Sequence, residues 1–152
     1  MLHKMKKDMG KQTMFLKYAD SQLSQISREL SALIKQRESL EDKIIQLNES
    51  KKSHMFDKEA YLAGVTICPI RLSGFNTRYL HLEENIRSLG AEKTTIEEKI
   101  HEKRHAFNKA KKQQELTSDA VKKTKYSISS YISKKEDESV MECNYSRMEA
   151  SK

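Results

Sequence analysis

From Leu2 to Leu47 apolar residues recur at alternating steps of three and four: Leu2, Met5, Met9, Leu16, Ala19, Leu23, Ile26, Leu30, Leu33, Leu40, Ile44 and Leu47. Only Gln12 and Arg37 interrupt the series, and the residues between are mostly Lys, Glu, Gln, Ser and Asp. A heptad repeat of this kind specifies an α-helix with one narrow apolar stripe, stable when that stripe is buried against another helix. The fold therefore depends on where the second helix lies.

A second series starts at Val65 and Cys68 and runs through Leu72, Phe75, Tyr79, Leu82, Ile86, Leu89, Ile96, Ile100, Phe107 and Ala110, then weakens through Val121, Ile128 and Tyr131. Lys93, Lys103, Gln114, Thr117 and Thr124 fill its remaining seam positions. Between the two series, the polar stretch 49–54 reads as a turn, with Asp57 a candidate N-cap for the next helical segment. Residues 55–70 are the most apolar segment, and Gly64 and Pro69 argue for a short helix that kinks or restarts near residue 70.

Two seamed helices with a short connection predict an all-α fold, a long antiparallel two-helix coiled-coil hairpin over residues 1–132 with a disordered C-terminal tail over 133–152. Helix 1 is expected over about 2–52, the turn and apolar tip over about 53–70, and helix 2 over about 71–132. Gly10 is expected to fray the first turns. A turn centred near residues 55–60 places Leu47 near Leu72 or Cys68, Leu33 near Tyr79 to Ile86, and Met1 between residues 110 and 120. The second helix then overhangs the first. With 36% hydrophobic and 34% charged residues, one Pro and no Trp, the composition fits elongated helices better than a broad core. Periodicity alone leaves open a continuous helix paired with another chain.

Several function classes are disfavoured. Cys68 and Cys143 are too few for a disulfide framework and lack zinc spacing, so free thiols in a reducing compartment are expected. Lys4, Lys6 and Lys7 are not followed by the apolar run of a signal peptide, and residues 60–70 are about half the ~20 that a spanning helix requires. His101, Glu102 and His105 match the HExxH zinc-protease pattern, but Lys103 and Arg104 would set two cations beside the metal and no cleft surrounds them. No Gly-rich phosphate loop or nucleophile with partners is recognisable. The expectation is no enzyme, no cofactor, no metal and no small-molecule substrate. Nucleic-acid binding is the serious generic reading of the basic regions, weakened by scarce Arg and by few aromatics beyond Phe107, Tyr126 and Tyr131.

The net charge of +7 is unevenly spread. Residues 1–17 carry five Lys against one Asp, residues 100–135 ten basic against three acidic, and the last 17 residues five acidic against two basic. A hairpin joins the two basic regions into a base, formally about +11. The expected base contacts are Lys4, Lys6, Lys7, Lys11, Lys111, Lys112, Lys122 and Lys123. Phe56, Tyr61, Leu62 and Ile67 are the expected tip contacts. A basic base and an apolar tip suggest an adaptor between two partners.

This architecture, with Lys58-Glu-Ala-Tyr61-Leu62 just past the expected turn and the basic second arm from Glu102 through Phe107 to Lys112, resembles the central stalk proteins of bacterial type III secretion ATPases, the FliJ/YscO/SctO family. The resemblance implies a stalk whose base enters the pore of a hexameric secretion ATPase and whose tip faces the export gate protein, with secretion chaperones as further partners. It implies a bacterial cytoplasmic location at the inner face of the membrane, reached through partners only. The alternative expectation is a generic coiled-coil scaffold or tether, and behind it a nucleic-acid-associated protein.

Overall fold

The computed structural model describes residues 1–151 and consists of two helices, α1 (Leu2–Leu62) and α2 (Pro69–Ala150), packed against each other as an all-α hairpin. No strand is present among the described residues. The chain divides into two compact units, residues 27–105 and residues 1–26 with the C-terminal part from Ala106.

In the unit of residues 27–105, the shielded heptad positions of α1 are Leu30, Leu33, Arg37, Leu40, Ile44, Leu47, Lys51, His54, Lys58 and Tyr61. Those of α2 are Leu72, Phe75, Tyr79, Leu82, Ile86, Leu89, Lys93, Ile96, Ile100 and Lys103. Ile100 is the most enclosed, at 2% exposure, and Leu40 is also buried. A two-helix seam cannot enclose more, because each helix shields the other on one side only. The polar seam positions find partners across the pair. Lys103 bonds Glu29, Lys93 lies 3.4 Å from Glu41, and Lys51 lies 3.2 Å from Glu83. Arg37 sits in the same cluster as Lys93, with its buried Nε 3.8 Å from Glu41 and without a hydrogen bond.

These pairs correct the expected register. Leu47 does not face Leu72 or Cys68, since Lys51, one turn further along α1, already meets Glu83. The true pairing is displaced by roughly two heptads, because the turn lies later in the chain than expected. Residues 49–54 are not a turn and Asp57 is not an N-cap: α1 runs through both to Leu62. The heptad continues there in polar residues that nevertheless pack. Lys51 lays its ammonium 5.0 Å from the centre of the Tyr79 ring. His54, 6% exposed, packs its ring at a tilt against Phe75, centroids 5.2 Å apart, and its Nε2 lies 2.7 Å from the Phe75 carbonyl oxygen. Lys58 donates to Asn76 at 2.8 Å.

The connection is residues 63–68. Pro69 does not kink a helix but begins one, at the position where its missing N–H costs nothing. Val65 and Cys68, expected at the start of the second seam, are exposed in the connection, and the seam begins at Leu72.

In the other unit, Leu2, Met5, Met9, Gln12, Leu16, Ala19, Leu23 and Ile26 are the shielded heptad positions of α1. Those of α2 are Phe107, Ala110, Gln114, Thr117, Val121, Thr124, Ile128 and Tyr131. Ala110, Val121 and Ile128 are buried. Thr124 donates to Gln12 at 2.8 Å and Gln114 to Asp20 at 2.8 Å. Met1 therefore does not face residues 110–120, and Leu2 instead shares a cleft with Tyr131 and Ile132. Gly10 lies inside α1, which is helical from Leu2.

The expected disordered tail is also corrected. Residues 133–150 continue α2 as helix, although all are exposed. No Gly or Pro follows Gly90, and adding residues to an existing helix requires no new nucleus. A local pair, Lys135 with Glu138 at 2.9 Å, supports the extension.

Two substitutions test this packing by thermal and urea unfolding. Ile100→Ala should lower stability by about 2–4 kcal/mol, since it deletes a buried aliphatic group. Gly10→Ala should raise it by up to about 1 kcal/mol, because a Cβ there meets nothing within 4 Å.

Candidate functional site

The structure brings the expected base lysines into one unit. Lys4, Lys6, Lys7 and Lys11 from α1 and Lys111, Lys112, Lys122 and Lys123 from α2 all lie in the unit containing residues 1–26 and are all exposed. Lys17, Lys109 and Lys125, also exposed, extend the set. Across residues 1–26 and 106–132 there are eleven lysines against the four carboxylates Asp8, Asp20, Glu115 and Asp119. Asp20 is engaged by Gln114.

Heptad arithmetic locates these charges around the helices. With Leu2 and Phe107 as a positions, the lysines of α1 occupy c (Lys4, Lys11), e (Lys6), f (Lys7) and b (Lys17). Those of α2 occupy c (Lys109, Lys123), e (Lys111, Lys125), f (Lys112) and b (Lys122). Each helix is therefore cationic at four of its five outward positions, along its e flank and over its back, with no lysine at g. The positive charge is thus spread around the back of both helices rather than confined to one groove.

The expected tip contacts fall in the unit of residues 27–105 and separate into two kinds. Phe56 is 72% exposed, Leu62 and Ile67 are partly exposed, and Val65 and Ile70, which the heptad pattern does not mark as tip contacts, are more exposed than either. Tyr61 is different, because it occupies a seam position. Its ring lies 5.5 Å from that of Phe75, and its hydroxyl accepts the Cys68 N–H at 2.5 Å. Tyr61 thus holds the connection against the helices instead of presenting itself outward. The heptad step from Lys58 to Tyr61 is the sequence signal for that role.

Cys68 immediately precedes α2. Backbone N–H groups of Arg71 and Ile70 at the start of the helix, with the Arg71 charge adding to them, draw its thiol below the ordinary value. Lys51 is held above its usual value mainly by its bond to Glu83. Glu83 is held below its own by the Tyr79 hydroxyl and then Lys51. The carboxylate contribution to stability is therefore present at neutral pH and lost as pH falls through its depressed value. The lysine contribution is lost only on strong alkalinisation.

The HExxH segment is divided by the seam. His101, Glu102 and His105 are exposed, whereas Lys103 turns inward to Glu29. Among the described residues no group of three or more His, Cys, Asp or Glu could hold a metal ion, and no helix is long and apolar enough to cross a membrane. No family model, curated protein or solved structure matches the chain.

Alkylation provides a check on the connection. At neutral pH iodoacetamide should label Cys68 faster in the folded chain than in urea, because unfolding removes the helix N–H groups that favour its thiolate. A slower rate in the folded chain would contradict that geometry.

Proposed function

We propose that this chain is a non-enzymatic adaptor, the central stalk of a bacterial type III secretion ATPase. The observation that carries this reading is the spread of the lysines over the b, c, e and f positions of both helices in the unit containing residues 1–26. A linear polyanion such as a nucleic acid needs a cationic stripe on one side. A ring that encloses two helices meets them on all sides, and acidic loops around its pore are complementary to a cationic sleeve. A pair of packed helices is about 20 Å across, a width suited to a central channel.

On this reading Lys4, Lys6, Lys7, Lys11, Lys111, Lys112, Lys122 and Lys123 are the contacts with a hexameric ATPase. Phe56, Leu62 and Ile67, joined by Val65 and Ile70, present an exposed apolar surface for the export gate protein. Tyr61 supports that surface from beneath. Secretion chaperones are further partners, and the protein works at the cytoplasmic face of the bacterial inner membrane through these contacts. The family resemblance of the sequence and the hairpin architecture both support this assignment.

ATP hydrolysis and ring assembly by a cognate secretion ATPase test it as the chain is titrated in. The wild type should stimulate hydrolysis and promote rings. A variant carrying Lys111→Glu, Lys112→Glu, Lys122→Glu and Lys123→Glu should lose both effects while keeping its helical circular dichroism, since all four side chains are exposed. Absence of stimulation by the wild type would remove the stalk reading and leave a general coiled-coil scaffold or tether.

A further inference from the structure

The helical continuation of α2 carries an amphipathic surface that nothing in the chain covers. Met141, Tyr145 and Met148 follow one another at helical spacing and are 62%, 69% and 66% exposed. Glu138, Glu142 and Glu149 lie alongside them on the same side of the helix. The same unit bears a surface of opposite character. Met14, Phe15 and Tyr18 on α1 are equally exposed, and Lys7, Lys11 and Lys17 flank them. One surface is apolar with an acidic border and the other apolar with a basic border.

The two cannot meet within one chain, because residues 133–150 prolong α2 beyond the level of Leu2 while Phe15 lies on the other side of that level. Their spacing makes them complementary between two chains. Leu2 and Ile132 line one cleft of about 460 Å³, together with Tyr131 and Val140. From that level Phe15 is 13 residues along α1 in one direction, and Tyr145 is 13 residues along α2 in the other. At 1.5 Å per residue each lies about 20 Å away. A two-fold axis perpendicular to the helices at that level, on the side of the hairpin where Phe15 of α1 and Met141 and Met148 of α2 occupy g positions, therefore brings the acidic helix of each copy alongside the basic, aromatic surface of the other, both at once.

We infer that a second copy of this chain docks here, forming an antiparallel dimer in which the segment 133–150 of each protomer covers Met14, Phe15 and Tyr18 of its partner. Lys7 and Lys11 then face Glu138 and Glu142, so the contact weakens with salt. In terms of the function proposed above, the dimer withdraws base lysines from an ATPase ring. Its existence does not depend on that role.

Sedimentation equilibrium of the full chain without any partner tests this, so its failure would leave the stalk reading standing. The wild type should dimerise at low salt. A Tyr145→Ser, Met148→Ser variant should be monomeric with unchanged helical circular dichroism, because neither side chain packs within the chain. Glu138→Lys, Glu142→Lys should weaken association, and mixing that variant with a Lys7→Glu, Lys11→Glu variant should restore it. Spin labels on Cys143, in a chain with Cys68→Ser, supply the geometry. Cys143 is 11 residues past Ile132, so two labels should lie about 33 Å apart along the helix direction, plus the lateral offset of the two chains. A monomer at every concentration, a dimer that survives Tyr145→Ser, Met148→Ser, or Cys143 residues close enough to form a disulfide would each overturn the inference.

Discussion

The matching of polar seam residues across the two helices is the constraint on which the hairpin depends. An apolar heptad seam buries surface in any register that slips by whole heptads, so it supplies stability without choosing among alignments. Lys103 with Glu29, Lys93 with Glu41, Lys51 with Glu83, Gln114 with Asp20 and Thr124 with Gln12 remove that degeneracy. Slipped by two heptads, Lys103 and Lys93 would lose Glu29 and Glu41 as partners. The partly exposed pairs contribute little net stability each. Their effect is on the alternatives, which they disfavour by leaving polar groups opposite apolar ones.

The same interactions explain what could be read from the sequence. Leu23, Ile26, Leu30, Leu33, Leu40, Ile44 and Leu47 identify α1, and Leu72 through Phe107 identify α2, because burial on one stripe leaves a period in residue type. The end of α1 is not legible by that rule. Lys51, His54 and Lys58 pack through their stems and ring while being polar by composition, so the stripe ends in sequence where the seam continues in space. The misplaced turn then carries the register with it. Residues 133–150 mislead in another way, since helix continues there on propensity and on contiguity with α2 rather than on burial.

The interaction surfaces divide along similar lines. Exposure of the lysines follows from charge alone, and their convergence in one unit requires only that the chain fold back. Their spread over b, c, e and f positions is a property of the heptad frame, visible once the seam is known. Tyr61 cannot be placed without the true end of α1, because the same residue is outward in a loop and inward in a seam. The exposed residues Phe56, Val65, Ile67 and Ile70 concentrate apolar surface around the short connection, where few neighbours exist to cover it. A chain organised this way presents cationic and apolar surfaces on separate units.

The most direct measurement of the register is oxidation of a chain carrying Gln12→Cys and Thr124→Cys, with Cys68→Ser and Cys143→Ser, followed by non-reducing electrophoresis and peptide mapping. The pairing of the two helices predicts a disulfide between positions 12 and 124 within a single chain, since the native side chains at these positions are hydrogen-bonded at 2.8 Å. Failure to form that bond, with position 12 instead linking readily to a cysteine placed near residue 107, or linking only between chains, would contradict it.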